Sequence, residues 1–258
     1  MAHEGMPRMD PFASPPGRSP WRVGPIGALV AAIIGLACGA SSSGRATPAE
    51  PMAIAAAATT LALPAPDRDG VFPLERAIQA RRSVREFAPT PVSTPHLGQL
   101  LWAAQGVTER ATGRRAAPSA GATYPLDLFV ALPDGWYHYE PVGHALTRLA
   151  TDDRRARLAI AGLDQPALGA APAIVVMTGR IDRTRARYGD RALRFVWQES
   201  GHAAQNLLLQ AVSLDLAAVP IGGFDEQAVR TAVDLASAVT PLYLLPLGHP
   251  RRGPATSD

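Results

Sequence analysis

One segment constrains the fold more than any other: YGDRALRFVWQESGHAAQNLLLQAVSLDL, residues 188–216. It is long enough for a helix of about six turns at 3.6 residues per turn. Its apolar residues surround the helix axis, so the helix is expected to be buried in the core or against a second subunit.

The segments around this helix alternate between strand-like and helical patterns. PLERAIQARR (73–82) and STPHLGQLLWAAQGV (93–107) have helical spacing, with Ser93 or Thr94 as the N-cap of the second. Short apolar or alternating runs bounded by Gly, Pro and Asp predict strands; they are LDLFVAL (126–132), GWYHYE (135–140), AIVVMTG (173–179) and PLYLLPLG (241–248). This order is neither strictly βαβ nor all helical. We therefore expect an α+β fold with a mixed or antiparallel central sheet flanked by helices.

Composition excludes some classes of protein. With 258 residues, 47% of them hydrophobic, the chain can bury one substantial core. All 25 basic residues are arginine, but they are spread along the chain and offset by 22 acidic residues. A nucleic-acid-binding protein would instead cluster its cations on one face. The single cysteine, Cys38, excludes an intramolecular disulfide and a multi-cysteine metal site.

The N-terminal residues 1–40 read as a secretory leader, a lipoprotein leader or a membrane anchor. VGPIGALVAAIIGLACGA is an apolar run preceded by Arg8, Arg18 and Arg22, and its end resembles a bacterial lipobox with Cys38 as the lipidated residue. As an uncleaved anchor the run approaches the roughly 20 residues that span a bilayer. Each of these readings predicts an extracytoplasmic protein, and the lipidated Cys38 or the uncleaved run would anchor it to the membrane. The alternative is a misassigned start codon and a cytoplasmic protein.

The rest of the chain divides into a linker, a domain and a tail. Residues 41–70 are rich in Ala, Pro, Ser and Thr and are expected to be a disordered linker. The folded domain is expected over residues 71–252, followed by a tail at 253–258.

Several familiar catalytic motifs are absent from the sequence. Glu199 and His202 form only half of a di-iron helical motif, so no metal is expected and both side chains are expected to be buried and hydrogen-bonded. The chain has no G-x-S-x-G elbow, and its glycine pairs do not make a G-x-G-x-x-G motif or a phosphate-binding P-loop.

Four junctions between predicted elements remain as candidate binding segments: RRSVREF, PSAGATYP, VPIGGFDE and PLGHPRR. Arginine forks and serine hydroxyls suit a phosphate monoester. Glycines let backbone N–H groups approach a flat ring closely. Together the four junctions indicate a pocket for a phosphorylated planar cofactor.

Residues from about 72 to 252 resemble the FMN-dependent nitroreductase superfamily, specifically its SagB-type dehydrogenase branch. The motifs that carry the resemblance are AIQARRSVREF, PSAGATYPLDLFV, RARYGDRALRFVWQESGHAAQNLLL, VPIGGFDE and LYLLPLGHPR, in that order. The resemblance implies a nitroreductase-like α+β fold and a domain-entwined homodimer with two FMN sites at the interface.

The resemblance also implies roles for individual residues. Arg85 would lie near the pyrimidine edge of the flavin, where negative charge develops on reduction. Gly222 would offer a backbone N–H to flavin N5, the atom that accepts the hydride. The remaining cofactor contacts would be made by Arg81, Arg82, Ser83, Gly248, Arg251 and, less securely, Arg252 on the phosphate side, and by Pro220, Ile221 and Gly223 beside Gly222. Pro118, Ser119, Ala120 and Gly121 would come from the partner subunit and pack against the ring.

The implied function is FMN-dependent oxidoreduction by ping-pong hydride transfer. The donor would be NAD(P)H and the acceptor a nitroaromatic, quinone or enone. The alternatives are azoline or peptide dehydrogenation with O₂, and a noncatalytic flavin-binding module tethered to a membrane. Azoline-oxidising SagB-type enzymes carry a Lys-Tyr pair where this chain has Arg187-Tyr188, and an arginine cannot serve as a general base at neutral pH. Asp215 replaces an expected glycine, and aspartate tolerates the left-handed conformation better than most residues.

Overall fold

The computed structural model describes residues 59–251, which form a central antiparallel sheet flanked by helices. The seven-stranded sheet has the order β1-β6-β5-β4-β7-β9-β8, and β2 pairs with β3 in a separate hairpin. The strands are β1 (Thr60–Ala62), β2 (Val107–Glu109), β3 (Arg114–Arg115), β4 (Leu126–Leu132), β5 (Gly135–Glu140), β6 (Ala145–Ala150), β7 (Ala173–Gly179), β8 (Ala217–Ala218) and β9 (Thr240–Gly248). Every pair of neighbouring strands is antiparallel, so the predicted α+β fold is confirmed.

The helices occupy both faces of the sheet. They are α1 (Leu74–Ala80), α2 (Thr94–Gln105), α3 (Arg155–Ala161), α4 (Pro166–Ala170), α5 (Ile181–Tyr188), α6 (Ala192–Ser213) and α7 (Glu226–Ala232), with 3-10 turns at Ala120–Ala122 and Gly189–Arg191. The predicted cap of α2 is confirmed, because Oγ of Ser93 accepts a hydrogen bond from the backbone N–H of His96 at 3.4 Å.

Two hydrophobic cores sandwich the sheet because successive strand residues point to opposite faces. Leu128 and Val130 of β4 face the core formed with α2 and α6. Phe129 and Ala131 of the same strand face the second core, which α3, α4 and α7 cover. The middle of the sheet is therefore buried on both sides, and candidate binding residues lie at its ends.

Helix α6 has the predicted length, and its burial against a second subunit stays a prediction. It spans 22 residues, about six turns. One flank is open in the chain, since Leu193 and Trp197 are 45% and 61% exposed and Gln198 and His202 are also exposed. After the helix, Asp215 adopts the left-handed conformation with a φ of 54°, as expected for this position.

The ordered part of the chain begins before Val71, so the linker prediction is wrong for its last residues. Strand β1 pairs with β6, and Leu63 is buried beside it. The backbone N–H of Asp67 also donates to Oε1 of Gln99 at 2.8 Å. The error arose because this Ala- and Pro-rich segment buries little surface itself and is ordered by the sheet edge that it covers.

The leader prediction, including Cys38, lies outside the described residues, as do most of the linker, Arg252 at the end of the predicted domain and the tail at 253–258. Lipidation and an extracytoplasmic location stay predictions. Within residues 59–251, no helix combines the length and the apolar character needed to cross a membrane.

Candidate functional site

The RRSVREF segment runs in extended form from the end of α1 along the end of the sheet. The backbone N–H of Val84 donates to the carbonyl of Ala218 at 3.2 Å, and Phe87 forms an antiparallel bridge with Pro250. The N–H of Arg251 donates to the carbonyl of Glu86 at 3.1 Å. This pairing places the first arginine cluster and the end of β9 side by side, as the cofactor prediction requires.

Some arginines of this segment and of the end of β9 form side-chain hydrogen bonds, and others are available to a ligand. Nη1 of Arg82 donates to the carbonyl oxygens of Gln79 and Arg81 at 2.7 and 2.8 Å, so its guanidinium caps the C-terminus of α1. The cap uses Nη1 alone, so a phosphate contact from Arg82 would have to come from Nη2 or Nε. Nη1 of Arg85 donates to the carbonyl of Ser83 at 3.3 Å. Within residues 59–251, the side chains of Arg81 and Arg251 make no hydrogen bond or ion pair.

Gly222 and Gly223 lie at the end of a short ladder. Ile221 exchanges two backbone hydrogen bonds with Leu244, at 2.8 and 3.0 Å, and the ladder stops there. Both glycines are exposed, and their N–H groups have no partner among the described residues. A Cβ on Gly222 would meet only Tyr243, at 3.6 Å. The N–H groups are thus available to a ligand.

A cavity of about 210 Å³ opens beside Gly222. Trp197 and Ser200 of α6 line one wall, and Leu242 and Tyr243 of β9 line another. A second cavity of about 160 Å³ lies beside the arginine segment, lined by Arg82 and Val84 and by residues of α6. Ligand sites in proteins commonly hold about 300–1,000 Å³, so each cavity is too small to be a complete flavin site.

Three residues that the resemblance assigns to the cofactor are placed by packing or by the course of the chain. Ile221 is 6% exposed, and its side chain packs in the second core. Gly248 is buried, and a Cβ there would lie 2.6 Å from Pro172, so this glycine permits close packing. Pro220 is partly exposed and leads the chain from β8 towards the glycine pair.

The PSAGATYP loop lies against α5 of the same chain. Gly121 has a φ of 60°, and a Cβ there would lie 2.7 Å from Oη of Tyr188 and 2.9 Å from Cδ of Arg187. Nη1 of Arg187 donates to the carbonyl of Gly121 at 3.2 Å. The Tyr188 ring packs edge-on against Phe195 of α6, 4.9 Å between centroids. The Arg187-Tyr188 pair therefore supports the loop directly.

Further hydrogen bonds fix the base of this loop. Oγ of Ser119 accepts from the backbone N–H of Tyr124 at 2.9 Å. The hydroxyls of Thr123 and Thr184 are 2.9 Å apart, which joins the loop to α5. Pro118 is exposed and Ala120 is partly exposed, so the outer surface of the loop faces away from the core.

A buried carboxyl lies beneath the loop, and sequence reasoning missed its importance. Glu199 is only 3% exposed, and burial raises its pKa to about 7, while Ser119, Arg115 and Gln105 favour the charged form. Within the described chain, its Oε1 has no hydrogen-bond partner of good geometry. The expectation that Glu199 and His202 are both buried and satisfied is wrong, because His202 is exposed. The i, i+3 spacing did not reveal which face of α6 meets the loop.

Helix α6 separates the two groups of candidate residues. Successive residues on a helix turn by about 100°, so Phe195, Glu199 and Asn206 share one flank, which contacts the loop region and α5. Trp197 and Leu208 lie on the opposite flank, beside the cavities at the glycine pair and the arginine segment. The two groups of candidate residues in one chain thus face different directions, and we refer to them as candidate half-sites.

Metal chemistry finds no support in the part of the chain that is described. Residues 59–251 contain no group of three or more His, Cys, Asp or Glu side chains placed to hold a metal ion.

Comparison with known proteins identifies the family to which this fold and these motifs belong. Residues 78–249 match the nitroreductase family. A protein of Methanocaldococcus jannaschii named as a nitroreductase is 37% identical over 196 residues, covering 74% of this chain and 97% of that protein. A crystal structure from Ralstonia eutropha, also named as a nitroreductase, has a TM-score of 0.69 and 30% identity, covering 75% of this chain and 90% of that chain.

The microcin B17-processing protein McbC of Escherichia coli is 28% identical over 143 residues, covering 51% of this chain and 53% of McbC. This match agrees with the SagB-type motifs read from the sequence. The chain therefore belongs to the nitroreductase family and is an oxidoreductase.

Proposed function

We propose that this protein is an FMN-dependent oxidoreductase that transfers a hydride from NAD(P)H to a nitroaromatic, quinone or enone by a ping-pong mechanism. One observation carries the proposal: RRSVREF pairs with β8 and with the end of β9, which places the available arginines at one end of the sheet edge that runs through β8 to Gly222 and Gly223. Both features suit a phosphorylated flavin better than any other ligand class considered.

The residues present fit FMN in two respects. The side chains of Arg81 and Arg251 have no partner within residues 59–251, and two guanidinium groups match the charge of a phosphate dianion. Ser83 is exposed on the same segment and adds a hydroxyl. The open N–H groups of Gly222 and Gly223 border a cavity, where a flat ring can approach the backbone.

A second copy of the chain would complete each site. The PSAG loop (residues 118–121, the start of PSAGATYP) and the arginine segment (RRSVREF) lie on opposite flanks of α6. A flavin held by the arginines of one chain would therefore receive its loop from another. Exposed apolar residues support this homodimer, since Leu74 and Ile78 of α1 are 59% and 56% exposed. They lie one turn apart on one face of a short helix, as expected for a surface that another chain covers.

FMN, when bound, supplies the chemistry of accepting a hydride from one substrate and delivering it to another. The chain's own residues position the reactants. Arg85 would provide positive charge near the ring, the Gly222 N–H would provide a hydrogen-bond donor, and the loop would exclude water from one side. Neither Arg187 nor any other arginine has to move a proton in this scheme.

The second candidate function is SagB-type oxidation of azolines or related peptides with O₂. It is favoured by the contact of Tyr188 with the loop at Gly121 and by the similarity to McbC. It is weakened because Arg187 replaces the lysine base and its guanidinium is bound to a carbonyl.

The test begins with the purified full chain. We expect a yellow protein whose flavin is released on denaturation and identified as FMN, and which NAD(P)H bleaches under anaerobic conditions. A quinone added afterwards should restore the colour. A colourless protein that binds no added FMN would contradict the proposal, while a flavoprotein that only an azoline peptide bleaches would favour the second candidate.

A further inference from the structure

Glu199 is a buried carboxyl that the proposed hydride transfer does not use. It lies on the flank of α6 that faces the PSAG loop, it is 3% exposed, and it belongs to the buried polar residues of the chain. Its Oε1 and the Nε2 of neighbouring Gln105 are both buried and lack a hydrogen-bond partner of good geometry within residues 59–251. Such a pair of unsatisfied polar atoms is costly and calls for a functional explanation.

Several charged and polar groups face this carboxyl. Arg115 of β3, Gln105 of α2 and Ser119 of the loop all interact with it. Nη1 of Arg115 donates to Oε1 of Gln105 at 3.2 Å, and its guanidinium stacks over the ring of Tyr124 at 4.8 Å.

A further ring of groups acts on Arg115 rather than on Glu199. Asp127, Arg183 and Tyr124 contribute to the electrostatics at Arg115. On α6 itself, His202 follows Glu199 by three residues and is exposed. Among residues 59–251, Arg115 is therefore the one cation that faces Glu199 directly, and Asp127 competes for it.

Ser119 connects Glu199 to the outer surface of the loop. Its oxygen accepts the N–H of Tyr124, and its single hydroxyl proton can be donated to only one acceptor. An ionised Glu199 attracts this proton inwards. A neutral Glu199 leaves the proton free to be donated outwards, to an acceptor on a ligand that rests on the loop.

We propose that Glu199 is a positioning residue for the PSAG loop, and that FMN binding transfers one proton from solvent to its carboxyl, which releases the Ser119 hydroxyl to the cofactor. The inference rests on the proposed FMN function. No bond other than O–H is made or broken, and the solvent supplies the proton.

The pKa of Glu199 supports the proposal. Burial raises it from about 4.5 to about 7, so the carboxyl exchanges a proton in the neutral range. Loss of the Ser119 donor and burial of the loop beneath an electron-rich, anionic ligand would both raise the pKa further. The bound state then holds more protons than the free state, so FMN affinity must fall as the pH rises above about 7.

The experiment measures the dissociation constant of FMN by fluorescence titration of the apoprotein between about pH 7 and 9. This window lies above the phosphate titration near pH 6. We expect the dissociation constant of the wild type to rise by up to about tenfold per pH unit. Glu199→Gln, which imitates the neutral acid, should bind with a constant that changes by less than about twofold. Glu75→Gln, which removes an exposed carboxylate on α1, should keep the wild-type slope.

Two further measurements cover the case in which Glu199→Gln does not fold. Calorimetry of the wild type in buffers of different ionisation enthalpy should detect proton uptake on FMN binding near pH 8, and Ser119→Ala should reduce it. Without FMN, the free energy of unfolding of the wild type should fall as the pH rises from about 4.5 to 7. Over this range Glu199 keeps its proton in the folded state but has lost it in the unfolded state.

The outcomes are distinct. An affinity independent of pH, no proton uptake, or an unchanged slope in Glu199→Gln would overturn the role of Glu199 while leaving the FMN function intact. A wild type that binds no FMN at any pH would overturn the proposed function itself.

Discussion

Arg187 and Gly121 lie 66 residues apart in sequence but are joined by a hydrogen bond of 3.2 Å, from Nη1 of the arginine to the carbonyl oxygen of the glycine. The absence of a side chain at Gly121 makes this contact feasible, since a Cβ there would lie 2.9 Å from both Cδ and Nε of Arg187. Arg187, at the position where the resemblance to azoline-oxidising enzymes implies a lysine base, is thus a cation that supports the loop.

Arg187→Ala should therefore weaken FMN binding more than it slows turnover. A hydrogen bond to a charged group contributes about 1.5 kcal/mol, which predicts up to about a tenfold loss of affinity. At saturating FMN we expect turnover with NAD(P)H and a quinone to change by less than about threefold, and Tyr188→Phe to be equally mild. Arg85→Ala should be worse than either, because it removes positive charge near the ring and should make the flavin potential more negative.

Steady-state kinetics and redox titration of these variants check the assignment. Arg185→Ala is the matched control, since Arg185 lies on the same helix and pairs with the exposed Asp182. A large loss of turnover in Arg187→Ala or Tyr188→Phe at unchanged potential, with Arg85→Ala near wild type, would return the Arg187-Tyr188 pair to the centre of the mechanism.

Replacing the two available arginines should remove the cofactor without unfolding the chain. Each charge-assisted hydrogen bond contributes on the order of 1.5 to 3 kcal/mol, so Arg81→Ala with Arg251→Ala should weaken FMN binding at least about a hundredfold. Arg157→Ala is the control: Arg157 lies on α3, where it pairs with Asp152, so its loss should leave FMN affinity near wild type. Retention of stoichiometric FMN by the double variant through gel filtration would show that the phosphate lies elsewhere.

Gly121→Ala should destabilise the chain for two separable reasons. The left-handed backbone costs a non-glycine residue about 1–2 kcal/mol, and the new Cβ would also contact Oη of Tyr188 at 2.7 Å. Gly113→Ala isolates the first cost, because Gly113 has a φ of 70° and no atom near the added Cβ. Chemical denaturation should show the larger loss for Gly121→Ala and partial recovery in combination with Tyr188→Phe. Equal losses at the two glycines would mean that the Tyr188 contact carries no energy.

A charge on the exposed face of α1 should disrupt the proposed dimer. Ile78→Asp would place an unpaired carboxylate in an apolar interface, so sedimentation should show a monomer that no longer retains FMN. Ile160→Asp, at a similarly exposed isoleucine on α3, should remain dimeric. Leu208 is unsuitable for this test, because it is 5% exposed within a single chain and a charge there would damage the core. A flavin-loaded monomer of Ile78→Asp would show that the site is not shared.

The parts of the fold that could be predicted from sequence are those whose own residues carry the pattern. Strands β4, β5 and β7 have the predicted bounds because their apolar runs end at Gly, Pro or charged residues. Strand β1 was missed because its three residues are all exposed and are ordered by pairing with β6. Local propensity contains no information about such a partner.

The candidate site shows the same limit. RRSVREF and the glycine pair could be recognised from residue type. The cap that Arg82 forms depends on the geometry of the end of α1, and the packing of Gly248 depends on Pro172, which is distant in sequence. Glu199 is the clearest case, since burial raises its pKa against the opposing effect of side chains on three other segments.

The position of α6 between the two half-sites has a genetic consequence. In the proposed dimer, the arginine side of each site comes from one chain and the loop side from the other. A chain carrying Arg81→Ala and Arg251→Ala, mixed with a chain whose loop is damaged by Gly121→Ala, would form hybrids in which one site holds both lesions and the other holds none. Two inactive alleles would then complement each other and restore up to about half of the flavin occupancy of the wild type in each hybrid.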